Sequence, residues 1–442
     1  MTFDQKMKKH GTEKLDELVP NPYPKTRRFP LWAKIAIPVG GVGLVTAVTL
    51  AALLPNLLVA PLGEGFFATP TKANKIQSLN TSYVERMSPK ALESLDAYFA
   101  DSSNENFVLS PASYQLAVSS LAAVSEGFDL ASFGLIDAEA DTKTLLESWN
   151  FLYENTDPEH SAYCRFDSGV LHQQVGGSYR FDKQKQEKVA SDYIATSVAS
   201  LRDYHKQATS YFRDAVGLTI DIPDPKPTAD GVITYGALKM KDYVPGGMGS
   251  SEKPFHAKDK TISAPSRSFG SICYPAYLPY YQGEGYQAFQ MKIENTSLLI
   301  LLPDEETSLE SISISNAYSS FMEHKQTHMA MGYVPYFHLH TEGEDLTSAI
   351  AKRLTGKEKF YDKLLADDVI NNLSLSSVLQ SSDFEFNRYG VSGESITVIQ
   401  TAGSAAPEEH KVLELNVDRP FYAISLKDGF PLFVNKVNDP SR

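Results

Sequence analysis

An uncharged, apolar stretch near the amino terminus is the feature that most limits the architecture of this chain. From Ile35 to Leu54, twenty residues follow one another without a charged side chain. An α-helix of this length spans about 30 Å, the thickness of the hydrocarbon layer of a bilayer. Pro38 and three glycines lie within the stretch, and membrane helices tolerate both residue types. The sequence therefore predicts a transmembrane helix over residues 35–54.

The distribution of basic residues around this stretch predicts its orientation. Four of them, Lys25, Arg27, Arg28 and Lys34, precede it, and after Leu54 the next basic residue is Lys72. Because basic residues stay on the cytoplasmic side, residues 1–34 are expected to form a cytoplasmic tail. The alternative is a cleavable signal peptide, but the leader and the apolar run are both long for one. We expect a single-pass protein of the plasma membrane with an extracellular carboxyl-terminal domain.

Beyond the membrane segment, composition limits the possible partners. The chain carries a net charge of −13, and residues 1–34 contain eight basic and four acidic residues, so the remainder carries about −17 (−13 − 4). An acidic body argues against nucleic acid as a partner. The two cysteines, Cys164 and Cys273, are read as ordinary thiols, with a disulfide as the alternative. No metal-ligand motif is present, so neither a metal nor a small-molecule cofactor is expected.

Local signals divide the exported part into a tether and one folded domain. Residues 55–82 are rich in Pro, Gly, Asn, Ser and Thr and read as a linker, which leaves 83–442 as the domain. Proline after a serine cap predicts that helices begin at Ser88-Pro89 and Ser110-Pro111. A third helix is predicted over Asp182–Ala208, and strands over Ile293–Pro303, Leu373–Phe386 and Arg419–Val437. Helices that precede antiparallel strands indicate the α+β class.

Six segments of the domain stand in a characteristic order and spacing. They are Asn106–Ser113 (NFVLSPAS), Leu298–Glu305 (LLILLPDE), Val334–Phe337 with Asp345-Leu346, Val378–Gly390 (VLQSSDFEFNRYG), Asp418–Ile424 (DRPFYAI) and Leu432–Pro440 (LFVNKVNDP). Taken together they resemble the serpin family of serine protease inhibitors, and the resemblance runs from Tyr83 to Pro440. The closing segments carry most of it.

The resemblance implies a fold and positions for several residues. The fold would place helices on a large central, mostly antiparallel sheet with smaller sheets beside it, and an exposed reactive loop. Ser110 and Ser113 match the two serines that lie beneath the central sheet in the family. Gln380 stands where the family has a His, and Gly236 or Tyr235 where it has an Asn. Further departures are Tyr243 or Val244 at a family Trp, and Asn435 at a Gly.

The resemblance also implies a mechanism, in which a protease cuts the loop and the cut loop inserts into the central sheet as a new strand. A central strand excludes proline, and residues 391–406 contain none. With Gly390 as the hinge, every second residue of the inserted strand would face the core. These inward residues are Val391, Gly393, Ser395, Thr397, Ile399 and Thr401. The alternative interpretation is that this stretch is a strand already paired in the native sheet.

The position of the scissile bond follows from the family spacing. Counting seventeen residues from Arg388 gives Ser404, with Gly403 and Ala405 as neighbouring candidates. Small side chains there imply an elastase-like or subtilisin-like protease with a shallow primary pocket, held as a covalent acyl complex. A trypsin-like protease would require Lys or Arg, and the nearest is Lys411.

Three functions are therefore considered. The first is a membrane-tethered suicide inhibitor of extracellular serine proteases. The second is a non-inhibitory binding or structural protein with the same fold, which the departures at Gln380 and Gly236 favour. The third is an unrelated surface hydrolase, but the sequence contains no GxSxG, HExxH or P-loop motif, so the chain is not expected to be an enzyme.

Overall fold

The computed structural model describes most of the exported part of the chain. The described residues are 81–100, 105–149, 151–153, 162–173, 180–192, 196–200, 231–244, 248–371, 373–392 and 412–441, with Thr209, Phe212 and Leu218. The chain divides into two units, Met1–Leu58 and Val59–Arg442, and all of these residues lie in the second. None of their helices is long and apolar enough to cross a membrane; residues 1–34, 35–54 and most of 55–82 lie outside them.

Helices dominate the first part of the domain. The α-helices of the described residues are α1 (Thr81–Glu93), α2 (Asp96–Phe99), α3 (Pro111–Ala123), α4 (Ala138–Trp149), α5 (Lys183–Asp192), α6 (Ile314–His324) and α7 (Thr347–Ala351). The predicted start of α3 is confirmed: Ser110 is its N-cap, Pro111 is the first helical residue, and the Ser110 hydroxyl accepts a hydrogen bond of 3.1 Å from the amide of Ser113.

Two predicted helix boundaries are wrong. Helix α1 begins at Thr81, within the predicted linker, and contains Pro89 in its interior. Its buried residues recur every three to four positions, and the packing of this stripe keeps the helix continuous through the proline. The helix predicted over Asp182–Ala208 ends at Asp192, because Thr196–Ser200 forms a strand that pairs with a neighbouring strand in parallel.

The strands form two sheets. In chain order they are β1 (Phe107–Leu109), β2 (Phe151–Tyr153), β3 (Ala162–Gln173), β4 (Thr196–Ser200), β5 (Gly231–Tyr243), β6 (Ser251–Ala257), β7 (Lys260–Phe269), β8 (Ala276–Gly283), β9 (Tyr286–Lys292), β10 (Ser297–Pro303), β11 (Gln326–Pro335), β12 (Phe337–Asp345), β13 (Leu379–Asn387), β14 (Gly390–Ser392), β15 (Leu413–Asn416), β16 (Phe421–Lys427) and β17 (Phe430–Val437). The described strands make one sheet of seven and one of ten.

The seven-stranded sheet has the order β12-β13-β14-β5-β3-β2, with β4 paired to β3. The ten-stranded sheet has the order β1-β17-β16-β10-β9-β8-β11-β7-β6, with β15 paired to β11. We expected smaller sheets beside the central one, and the structure has a single ten-stranded sheet in their place. This sheet is continuous because the long strand β11 pairs with β8 over Gln326–Ala330 and with β7 over Gly332–Pro335.

Aromatic side chains fill the space between the two sheets. Phe337 and Phe384 of the seven-stranded sheet are nearly or fully buried and lie against Phe421 and Phe433 of the other sheet. The ring centroids of Phe337 and Phe421 are 5.9 Å apart, and those of Phe384 and Phe433 are 5.3 Å apart. Burial of such rings is a main source of stability. The α+β class predicted from the sequence is confirmed.

Candidate functional site: the junction of β5 and β13

The residues that follow β13 turn back and enter the seven-stranded sheet. Asn387 pairs with Gly390 across a turn made by Arg388 and Tyr389, and β14 then runs between β13 and β5. Val391 lies opposite Phe386 on one side and Asp242 on the other, and Ser392 lies opposite Glu385 and Lys241. We call the place where β14 separates β5 from β13 the β5–β13 junction.

This arrangement corrects one expectation from the sequence. The loop was expected to leave the native sheet at Gly390, whereas Gly390, Val391 and Ser392 are already paired on both sides. For these residues the alternative reading, a strand paired in the native sheet, is the one observed. Residues 393–411 lie outside the described residues. Those outside therefore include the predicted inward positions Gly393, Ser395, Thr397, Ile399 and Thr401, and the scissile candidates Gly403, Ser404 and Ala405.

Gly390 allows the chain to turn into the sheet at this point. Its φ is +131°, a backbone conformation that residues with a Cβ rarely adopt. A Cβ on Gly390 would lie 2.1 Å from the carbonyl oxygen of Asp242. The residue after β5 also stabilises the turn before Gly390, since the Val244 amide donates a hydrogen bond of 2.8 Å to the Tyr389 carbonyl. Glycine at this position is therefore a condition for the observed β14.

A Gly390→Ala variant is expected to lose β14 from the sheet. The strained φ costs about 1–3 kcal/mol, and the Cβ would collide with the Asp242 carbonyl. The melting temperature should fall, and limited proteolysis near residues 388–392 should become faster. Gly343→Ala is the matched control, because Gly343 has a φ of +63° but no atom within 4 Å of an added Cβ. Equal effects of the two variants would contradict the contact with Asp242.

Where β14 ends, no pairing joins the remaining parts of β5 and β13 to each other in the part of the chain that the structure describes. Each strand continues beyond β14, to Gly231 and to Leu379 respectively, yet the order of the sheet connects them only through β14. The two edges carry opposite charges on their outward positions. Lys239 and Lys241 lie on β5, and Asp383 and Glu385 lie on β13.

The amino-terminal end of helix α3 forms hydrogen bonds with both β5 and β13 on the inner face of the sheet. The Gln380 side chain of β13 forms two hydrogen bonds with the Ser110 backbone: its oxygen accepts from the Ser110 amide at 2.7 Å, and its amide donates to the Ser110 carbonyl at 3.0 Å. The Ser113 hydroxyl donates to the carbonyl of Gly236 in β5 at 2.6 Å. The three residues predicted to lie beneath the sheet, Ser110, Ser113 and Gln380, are thus brought together.

Gly236 is the residue of β5 that faces helix α3. A Cβ on it would lie 2.6 Å from both the Ala117 amide nitrogen and the Ser113 carbonyl oxygen, so the helix backbone leaves no room for a side chain. Tyr235, the other candidate from the sequence, is buried with its ring centroid 5.3 Å from that of Phe212.

Burial and hydrogen bonds shift the pKa of titratable groups near the junction. Burial raises the pKa of Tyr336, and the nearby guanidinium groups of Arg267 and Arg388 partly offset the rise. On the outward face of β13, Asp383 accepts a hydrogen bond of 2.9 Å from His338, and this bond raises the pKa of that imidazole. Among the described residues, no group of three or more His, Cys, Asp or Glu side chains could hold a metal ion.

The fold of the domain has counterparts among known proteins. Residues 251–440 match the serpin (serine protease inhibitor) family model. The structure resembles human thyroxine-binding globulin, with a TM-score of 0.59, 17% identity and coverage of 81% of this chain and 98% of that one. The chain has the serpin fold. No curated protein matches it in sequence.

Other structures with the serpin fold agree with this assignment. Serpin48 of the insect Tenebrio molitor matches with a TM-score of 0.57 and 15% identity, over 81% of this chain and 97% of that one. The thermophilic serpin tengpin in its native state matches with a TM-score of 0.59 and 14% identity, over 85% and 98%. Serpins are in general protease inhibitors and not enzymes, but thyroxine-binding globulin binds thyroxine, so the serpin fold alone does not assign inhibition.

Sequence reasoning missed Asp242. Its carboxylate is buried and accepts hydrogen bonds from the turn between β9 and β10. A signal was present: in Gly236–Tyr243 the inward positions alternate as Gly236, Leu238, Met240 and Asp242, and a charged residue at an inward position of a strand requires partners.

Proposed function

We propose that the chain is a membrane-tethered serpin that inhibits an extracellular serine protease of the elastase-like or subtilisin-like kind. The protease would cut the loop that follows β14, and the cut loop would insert between β5 and β13. The anchor is residues 35–54, with residues 1–34 in the cytoplasm and the serpin domain outside the plasma membrane. The proposal includes no nucleic acid partner and no cofactor.

One observation carries the proposal: the first three residues of the loop already lie between β5 and β13. Their pairing fixes a register that insertion would extend along both strands. Strand β5 has thirteen residues, so pairing that begins at Gly390 can continue to residue 402 (390 + 12). The next residues are Gly403, Ser404 and Ala405, the three candidates for the scissile bond. The length of β5 therefore supports the position counted from the family spacing.

The extended register also brings suitable side chains to the inward face. In this register Thr397 would lie opposite both Gly236 and Gln380, seven residues from the observed pairs of Gly390 with Tyr243 and Asn387. Gly236 has no side chain, so in this row only Thr397 and Gln380 would direct side chains toward helix α3. Gly393 and Ser395, at the two inward positions before it, are small and fit above a core that is already filled.

The outward face supplies a charged partner for Glu394. In the same register Glu394 lies between Lys239 of β5 and Asp383 of β13. Lys239 attracts the carboxylate, and Asp383 repels it, but Asp383 is also bonded to His338. Charges directly opposite one another across strands contribute a few tenths to about 1 kcal/mol each. Their sum is close to neutral, so insertion depends on backbone pairing and not on charge.

The covalent step traps the protease before water can act. The protease serine oxygen attacks the carbonyl carbon of Ser404, an ester forms, and the peptide bond to Ala405 breaks as the new amine takes a proton. Insertion of residues 393–402 then carries the ester-linked protease along the sheet. If insertion is faster than hydrolysis of the ester, the protease stays attached.

Incubation of the full-length chain with an elastase-like and a subtilisin-like protease should give an SDS-resistant adduct. Mass spectrometry should show that the chain has been cut at or next to Ser404. A protease whose catalytic serine is blocked is the control and should give none. Complete cleavage at this bond without an adduct would contradict inhibition of these two classes of protease.

A second candidate is a non-inhibitory binding protein with the serpin fold. The replacement of the family His by Gln380 favours it, because Gln380 forms two hydrogen bonds with the Ser110 backbone that stabilise the sheet before cleavage. The similarity to thyroxine-binding globulin is compatible with it. On this alternative, loop cleavage should leave the melting temperature unchanged, whereas the proposed inhibitor should gain stability.

A further inference from the structure

Two arginines differ from the others in having no acidic partner among the described residues. They are Arg267 of β7 and Arg388 of the turn between β13 and β14. The other arginines whose side chains the structure describes each form an ion pair with a carboxylate: Arg86, Arg180, Arg353 and Arg419. The chain carries a net charge of −13, so acidic partners are plentiful, and two unpaired guanidinium groups require another explanation.

Both of these arginines are neighbours of Tyr336. The Tyr336 amide donates a hydrogen bond of 2.8 Å to the carbonyl of Pro265 in β7, two residues before Arg267. The Tyr336 ring centroid lies 5.0 Å from that of Phe386 in β13, two residues before Arg388. Both guanidinium groups act electrostatically on the Tyr336 hydroxyl and lower its pKa, against the effect of burial. Cations from the two different sheets therefore lie near one phenol.

The two guanidinium groups leave most of their hydrogen-bond donors unused within the described part of the chain. Each has five N–H groups. The Arg267 guanidinium donates to the Lys292 carbonyl at 3.3 Å, and that of Arg388 lies over the Tyr389 ring, 5.2 Å from its centroid. Burial lowers the pKa of Arg267, because a cation withdrawn from water without a counter-charge is destabilised. A bound anion would supply both the counter-charge and the acceptors.

The donors that remain determine which ligand fits. The Tyr336 hydroxyl donates its hydrogen to the Gly249 carbonyl at 2.9 Å, so the guanidinium groups must make the contacts. Their planar, forked N–H groups match the oxygens of phosphate, sulfate and carboxylate groups. A single carboxylate would neutralise only one of the two cations, whereas a dianion would neutralise both.

We propose that Arg267 and Arg388, beside Tyr336, form a binding site for a doubly charged oxyanion, a phosphate or sulfate group. The group is either a free ion or the terminal group of a larger molecule. This inference goes beyond the proposed inhibition, because neither a protease nor insertion of the loop enters it.

The test measures binding of inorganic phosphate to the full-length chain by titration calorimetry, at constant ionic strength with chloride as the balancing ion. The unchanged chain should bind phosphate. Arg267→Gln and Arg388→Gln should each weaken binding about tenfold or more, the loss expected when hydrogen bonds from a charged donor are removed. Arg267→Lys keeps the charge but not the planar fork, so its affinity should lie between those of Arg267→Gln and the unchanged chain.

Glycerol 3-phosphate distinguishes the two sources of the group. An affinity equal to that of inorganic phosphate supports a site for the free ion, and a higher affinity supports a site for the terminal group of a larger molecule. In both cases the two glutamine variants should lose binding to the ester as they lose binding to the ion.

Arg180→Gln is the matched control, because it removes the same charge at an exposed site where Arg180 is paired with Asp368. It should bind phosphate as the unchanged chain does. An equal loss in this control would indicate general attraction by positive charge and overturn the inference, as would absence of binding to the unchanged chain. Arg388 is exposed, so if Arg267→Gln does not fold, undiminished binding by Arg388→Gln overturns the inference. The protease adduct tests the proposed function separately, and its absence would leave this result unaffected.

Discussion

A Thr397→Pro variant is expected to be cut by the target protease and to release it in active form, without an SDS-resistant adduct. If the register set by β14 is extended, residue 397 would lie between Gly236 and Gln380, in the middle of the segment that would insert. Proline has no N–H to donate to a neighbouring strand and is excluded from central strands. A strand that cannot pair at its centre cannot complete insertion before the ester is hydrolysed.

The size of the effect follows from the group that is left unpaired. A buried carbonyl without a partner costs about 1–3 kcal/mol, which slows insertion by roughly fivefold to more than a hundredfold. The rate of cleavage should not change, because residue 397 lies seven residues before the candidate scissile residue Ser404. Adduct and released protease are measured on gels and by residual protease activity, and the melting temperature of the cut chain is measured beside them.

Thr397→Ser is the matched control, because serine keeps the N–H and a small inward side chain. It should form the adduct at nearly the level of the unchanged chain. An adduct formed by Thr397→Pro in undiminished yield would contradict insertion between β5 and β13. Loss of cleavage in the proline variant would mean that the loop conformation, and not insertion, had changed.

Local signals in the sequence were sufficient for the elements that depend on nearby residues. The serine cap and proline at Ser110-Pro111 determine where α3 begins, because the cap satisfies a free amide of the first turn. The closing strands β16 and β17 were predicted because both are mostly apolar, as strands buried between other elements are, and both are buried over their whole length. Both features are visible without knowledge of the rest of the chain.

Elements that depend on distant partners could not be placed in this way. Thr196–Ser200 reads as the continuation of a helix, and it becomes β4 only because β3 offers it a parallel partner. The strand predicted from Ile293 begins at Ser297, because residues 293–296 form a turn held by Asp242. In each case tertiary contacts decided between local alternatives.

The candidate site shows the same division. The sequence indicated that Ser110, Ser113 and Gln380 lie beneath the sheet, and the structure brings them to one end of α3. It did not indicate that the loop already pairs at Gly390, since that depends on the space left beside Asp242. A glycine and an aspartate that are far apart in the chain determine this feature together.

An Asp141→Ala variant is expected to lose a large part of the free energy of unfolding, although Asp141 lies outside the apolar core. Asp141 accepts hydrogen bonds from Arg86 of α1 at 2.7 Å and from the amide of Ile136 at 2.9 Å. Its side chain is 7% exposed and that of Arg86 is 26% exposed. Removal of one partner from a buried ion pair leaves the other charge uncompensated and costs about 3–5 kcal/mol.

The loss should appear as a fall of several degrees in the melting temperature, since 1 kcal/mol corresponds to about 2–4 °C in a domain of 150–250 residues and to less in a larger one. Glu93→Ala is the control, because Glu93 pairs with Lys90 in the same helix but both side chains are exposed, and such pairs are worth at most about 1 kcal/mol. Arg86→Ala should resemble Asp141→Ala, because Asp141 keeps its amide donors but loses its counter-charge. Equal, small effects of Glu93→Ala and Asp141→Ala would mean that the Arg86–Asp141 pair does not hold α1 against α4.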